Sequence, residues 1–192
     1  ELNDHAKEMG CESVETDLGE FIVQVAGEKP YHIVTPAMHK SKEDIAKLFN
    51  EKFNTPVNST PEELTAYVRG VLRKKFTTAD VGVTGANFLI ADIGGISVTE
   101  NEGNGCMSMS FPKTHIVIAG IEKIIPKMEQ LGLFYPLLAA HGTGQQMTVY
   151  NSIVTSPKQA DETNGPQKMY VILLDNGRSN VYADAEARES LA

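Results

Sequence analysis

Apolar positions along this chain fall into two kinds of pattern. The first has helical spacing. In Ser41–Lys52 the residues Ile45, Leu48 and Phe49 recur three and four apart, Ser41 can cap, and Asp44 stands at the capping-box position. Thr60–Lys75 is the stronger case. Thr60 is a cap, Pro61 suits the first turn, Glu63 closes the box, and Leu64, Tyr67, Val68, Val71 and Leu72 form one apolar stripe. Leu2–Met9 reads as the end of a helix stopped by Gly10, and Asp184–Ala192 as a terminal helix.

The second pattern is the short apolar run closed by a turn. Val81–Gly85, Ile96–Thr99, Ile116–Ala119, Met147–Val154 and Tyr170–Leu174 read as strands, and Glu12–Thr16 and Tyr31–Thr35 as shorter ones. Ile116–Ala119 and Tyr170–Leu174 are apolar on both faces, which predicts strands buried between helices. Ala86–Ala91 has helical character between two glycine turns, and Gln159–Gln167 is a polar surface loop. Strands alternating with helices predict an α/β fold, a sheet layered with helices.

Composition narrows the function. At 192 residues, 41% hydrophobic and 22% charged, the chain suits one globular domain. A net charge of −8 with no basic cluster beyond Arg73–Lys75 argues against a nucleic-acid partner. No apolar run approaches the roughly 18–20 residues of a membrane span. Two cysteines, Cys11 and Cys106, far apart in sequence, fit a reducing cytoplasm. They cannot hold a four-cysteine iron–sulfur cluster. The five histidines lack zinc-ligand spacing, so no metal site is expected. His32 and His115 read as structural histidines opening apolar strands.

The candidate chemistry gathers in Thr84–Gly105, dense in glycine and asparagine. Thr84, Gly85, Ala86 and Asn87 form a glycine turn before the expected helix, where free N–H groups favour a phosphate, carboxylate or thioester oxygen. The other reading is a packing turn. Glu100, Asn101, Glu102, Gly103 and Asn104 form a polar loop at a strand end. Glu100 or Glu102 there suits a nucleophile or general base, and the loop also reads as a solvated turn. Asp17 and Glu20 flank Gly19, placed to orient a ligand or to cap the following segment. His39, after Pro36, suits an anion site or a solvated helix start. Asn176 and Arg178 lie in an Asp-Asn-Gly turn where the guanidinium can meet a carboxylate or phosphate. Cys106 reads as a free thiol.

Several of these blocks, taken in order, resemble the LUD domain of the lactate-utilisation protein B family. They are ETDLGE (Glu15–Glu20), HIVTPAMHK (His32–Lys40), TGANFLIAD (Thr84–Asp92) with NEGNG (Asn101–Gly105), HIVIAGIEKIIP (His115–Pro126), LLDNGRS (Leu173–Ser179) and EARESLA (Glu186–Ala192). The resemblance covers nearly the whole chain. It implies a sheet with helices on both faces, similar to the NagB/RpiA/CoA-transferase-like fold, with ligands at the carboxyl ends of strands. There the Thr84, Glu100 and Asn176 turns would converge. It also implies a cytoplasmic iron–sulfur complex with two other lactate-utilisation proteins, oxidising L-lactate to pyruvate. Residues 1–192 would then be a single LUD domain without the family's N-terminal segment. The two 4Fe-4S clusters would lie beyond Ala192, and this domain would bind a ligand or scaffold the complex. The alternative, by analogy with CoA transferases, is an enzyme in its own right, acting on an acyl- or phosphate-bearing substrate through Glu100 or Glu102. One departure stands out: Cys106 occupies a position where the family usually carries a basic residue.

Overall fold

The computed structural model describes residues 2–32 and 35–190, and the chain divides into two compact units, 1–77 and 78–192. The first is helical: α1 (Leu2–Glu8), α2 (Leu18–Ala26), α3 (Lys42–Phe53) and α4 (Pro61–Thr78). Both predicted capping boxes are present. Ser41 and Asp44 exchange hydrogen bonds at α3, and the Thr60 N–H donates to Glu63 Oε2 at 2.8 Å at α4. The α4 stripe buries Leu64, Val68 and Leu72. Phe21 of α2 meets Phe49 edge-on at 6.5 Å between ring centroids, and Phe53 stacks on Phe21 at 6.3 Å.

Glu12–Thr16 is not a strand. It is an irregular segment held by the Gln24 side chain, which accepts the Glu15 N–H and donates to the Ser13 carbonyl. A side chain thus does what a neighbouring strand would do for those backbone groups. Helix α2 follows directly, with Leu18, Phe21, Ile22, Val25 and Ala26 at helical spacing, a signal that the sequence reading passed over. The expected strand Tyr31–Thr35 lies partly outside the described residues, and Tyr31, His32 and Thr35 are not in a strand.

The second unit is α/β, with one parallel and one mixed sheet flanked by helices. Strands β1 (Val81–Thr84), β4 (Thr114–Gly120) and β7 (Lys168–Leu174) form a parallel sheet in the order β1-β4-β7. Strands β2 (Phe88–Ile90), β3 (Gly95–Glu100), β5 (Ile124–Ile125) and β6 (Tyr150–Val154) form the second, ordered β5-β2-β3-β6. Helix α5 (Asn104–Ser110) packs against β1 and β3. Helix α6 (Leu131–Thr143), apolar nearly all round, buries Leu131 with Ile90 and Ile125. Two short helices, α7 (Arg178–Ala183) and α8 (Ala185–Ser190), follow β7.

Two expectations change here. Ala86–Ala91 is not helical: Phe88–Ile90 pairs antiparallel with Gly95–Ser97, because the Asp92–Gly95 turn returns the chain onto itself. Tyr170–Leu174 is a strand but not a buried one. As the edge of its sheet, each of those residues is 43–54% exposed.

Candidate functional site

Gly82 explains how α5 reaches the parallel sheet. A Cβ there would lie 2.0 Å from the Ser108 carbonyl oxygen of α5, so only glycine lets helix and strand come this close. The N-terminus of α5 follows the short loop after β3, which ends at Glu100. Both oxygens of the Glu100 carboxylate are engaged there. The Gly105 N–H donates to Oε2 at 2.7 Å and the Cys106 N–H to Oε1 at 2.6 Å. These are the otherwise unpaired first-turn donors of the helix, and a carboxylate is the acceptor its dipole favours.

The Thr84 and Glu100 turns meet through Asn87. Its N–H donates to the Ser97 carbonyl and its Oδ1 accepts the Thr99 N–H, both at 2.8 Å. Because Phe88–Ile90 is a strand, no helix dipole acts at Thr84–Asn87. Gly85 is exposed, and Ala86 packs on the core cluster of Leu89, Val98 and Val117. Asn101 Oδ1 accepts the Val149 N–H at 3.1 Å. Gly103 adopts φ +83° against the Tyr150 ring, and Asn104 is the first residue of α5. Glu102 is exposed at the loop tip.

The Asn176 turn follows β7 and lies on the same carboxyl edge of the parallel sheet as the Thr84 turn. Asn176 has φ +45°, and Arg178 is ion-paired with Glu122, just past the end of β4. Its own backbone N–H, helped by pairing with Arg178, holds the Glu122 carboxyl below its ordinary range. Glu122 is a partner the sequence reading did not single out, since nothing in IEK marks it before β4 and β7 are aligned.

Asp17, Glu20 and His39 belong to the helical unit. Asp17 caps α2 by accepting the Glu20 N–H at 3.0 Å. Burial, then the Glu15 and Asp17 carboxylates, push Glu20 up to about 7. His39 Nε2 is 2.7 Å from Glu28 Oε2, and Lys40 holds the other oxygen of Glu28 at 2.7 Å.

His115 is fully buried, as a structural histidine should be, whereas His32 is exposed. His115 Nε2 hydrogen-bonds the Thr84 hydroxyl at 2.8 Å, its Nδ1 has no partner, and burial lowers its pKa. Cys106 Sγ is 3.3 Å from Ser152 Oγ, and burial pushes the thiol up. Cys11 and Cys106 lie in different units, and no group of three or more His, Cys, Asp and Glu among the described residues could hold a metal.

The LUD domain family matches residues 3–174. The chain belongs to the LUD domain family. Lactate utilization protein B of Bacillus pumilus (strain SAFR-032) is 46% identical over 186 residues, 96% of this chain and 39% of that protein. Lactate utilization protein B of Bacillus subtilis (strain 168) is 44% identical over 181 residues, 94% of this chain and 38% of that one. This LUD domain thus spans about two fifths of the length of these relatives. Among solved structures, a DUF162 family protein from Deinococcus radiodurans aligns with a TM-score of 0.39 and 17% identity, over 52% of this chain and 56% of that one. No helix among the described residues of the LUD domain is long and apolar enough to cross a membrane.

Proposed function

We propose that this LUD domain is the ligand-binding or scaffolding part of a lactate-utilisation protein. In that reading the whole protein works with two partner proteins in a cytoplasmic iron–sulfur complex that oxidises L-lactate to pyruvate. The 4Fe-4S clusters are carried outside residues 1–192. The relatives' shared name supports the pathway.

One observation favours a fixed platform over a reacting group: both Glu100 oxygens hold backbone N–H groups of α5. Attack on an acyl thioester by Glu100 would first break two charge-assisted hydrogen bonds, and hydrogen bonds to charged groups contribute about 1.5–3 kcal/mol each. The turns at Thr84–Asn87, Asn101–Asn104 and Asn176–Arg178 supply the strand-end surface on which a small carboxylate or phosphate group is held. The fold analogy with CoA transferases enters here only as the competing, catalytic reading, centred on Glu102.

Residues 1–192 alone, mixed with L-lactate and a redox dye, should give no dye reduction. The full-length parent purified without oxygen should contain about eight irons, as two four-iron clusters require. Lactate-dependent dye reduction by residues 1–192, or a parent devoid of iron, overturns the reading. Loss of an acyl-transfer activity in a Glu102→Gln variant would establish the competing one.

A further inference from the structure

A concavity in the α/β unit opens on the far side of α5 from its Glu100 cap, sharing Cys106 with it. It is a cleft of about 410 Å³ between α5, β6 and the loop after β6. Small-molecule sites run from about 300 to about 1,000 Å³, so this volume admits a metabolite.

Its walls are chemically mixed. Thr155 presents a hydroxyl and Asn164 an amide, while the Ser110, Ser152 and Ser156 hydroxyls already pair with the Cys106 carbonyl, the Cys106 thiol and the Gln159 amide and keep a lone pair each for a ligand. Met109, Val154 and Pro166 make an apolar patch, and Cys106 adds its thiol. Lys158 is the one basic residue in the lining, and it forms no ion pair among the described residues. Glu162 is the acidic one, with its Oε2 accepting the Gln159 N–H at 2.6 Å. The loop is shaped to bring Lys158 into place. The Lys158 N–H donates to the Pro166 carbonyl at 2.9 Å, and Gly165, at φ +111°, lies where a Cβ would be 3.2 Å from Lys158 Cβ.

We infer that this cleft binds a polyhydroxylated monocarboxylate, its carboxylate on Lys158 and its hydroxyls on the Ser110, Ser152, Thr155 and Asn164 wall. With one ammonium and one carboxylate in the lining, a single negative charge is favoured over a phosphate dianion, whose second charge adds to the repulsion from Glu162. Four hydroxyls and an amide suit a ligand with several hydroxyls of its own, each able to donate and accept. The volume exceeds that of a two- or three-carbon acid. This site goes beyond the proposed function and does not depend on it.

Cys106 in the wall makes occupancy measurable. In a Cys11→Ser background it is the remaining thiol, and its alkylation by iodoacetamide is followed by intact mass. Gluconate is the probe, with acetate and inorganic phosphate as comparisons. At about 10 mM, ten times a weak millimolar Kd, gluconate should slow alkylation of Cys106 about fivefold or more and saturably. Acetate should protect less and phosphate least. Lys158→Gln should abolish the gluconate protection while circular dichroism shows an unchanged fold. No protection by gluconate, equal protection in Lys158→Gln, or stronger protection by phosphate overturns the assignment. Calorimetric titration of the unsubstituted chain with gluconate checks the result without any thiol chemistry.

Discussion

The Thr84 hydroxyl and the His115 ring meet at 2.8 Å across adjacent strands, one at the carboxyl end of β1 and the other near the start of β4. His115 is wholly buried with Nδ1 unpartnered, so the environment favours the neutral ring, and its pKa lies below the ordinary 6.5. The unfolded chain therefore takes up a proton before the folded one does. Stability from the neutral ring is present above about pH 6.5 and is lost as pH falls below that value. Thermal melts should show Tm falling by about 2–4 °C between about pH 7 and about pH 5.5. His115→Phe, which keeps a ring of similar shape without a titrating group, should flatten that slope. An unchanged slope in the variant would place the titration elsewhere.

Glu20 acts in the opposite direction in the helical unit. Burial and the neighbouring Glu15 and Asp17 raise it to about 7. The folded state then holds a proton that the unfolded state releases near 4.5. The stability tied to that proton is full below about pH 4.5 and is lost as pH rises through about 7. Glu20→Gln stays neutral, so its melting temperature should exceed the parent's above pH 7, by up to about 4 °C. The two should converge below about pH 4.5, and a variant less stable than the parent at pH 8 would contradict the raised pKa.

Replacing Glu100 should weaken the fold before it touches any chemistry. Glu100→Ala leaves the Gly105 and Cys106 N–H groups without their acceptor and removes a charge favoured by the start of α5. The expected loss is about 1–3 kcal/mol, read as a lower urea midpoint. A midpoint equal to the parent's would mean that water replaces the carboxylate at no cost.

Gly82→Ala tests the close approach of α5 to β1. The added methyl would meet the backbone of Ser108, not a movable side-chain end. Helix and strand must separate, at a cost of about 1–3 kcal/mol. Chemical denaturation should show this loss, while Gly70→Ala, with open space around it in α4, should be neutral or stabilising.

The local instructions of this chain were legible in its order of residues. Ser41 with Asp44 and Thr60 with Glu63 start α3 and α4 where their caps predict, because a capping box satisfies its donors within four residues. The apolar runs at Val81, Ile116 and Tyr170 are strands for an equally local reason, their β-branched content between turns. The blocks that resemble the LUD domain were likewise in the sequence. What pairs with what was not. Phe88–Ile90 has a composition that serves helix or strand, and the hairpin with Gly95–Ser97 decided it. The exposure of Tyr170–Leu174 depends on β7 being an edge, a property of sheet order rather than of the run itself. Glu100 was read as a nucleophile, a general base or part of a solvated turn, and the way the Asn101–Asn104 loop folds back made it an acceptor for two backbone donors of α5 instead. Caps and strand propensity act over a few residues, whereas the Thr84–His115, Arg178–Glu122 and Cys106–Ser152 pairs join residues dozens of positions apart. Long-range pairs of this kind are set by how strands align and how closely a helix can approach them.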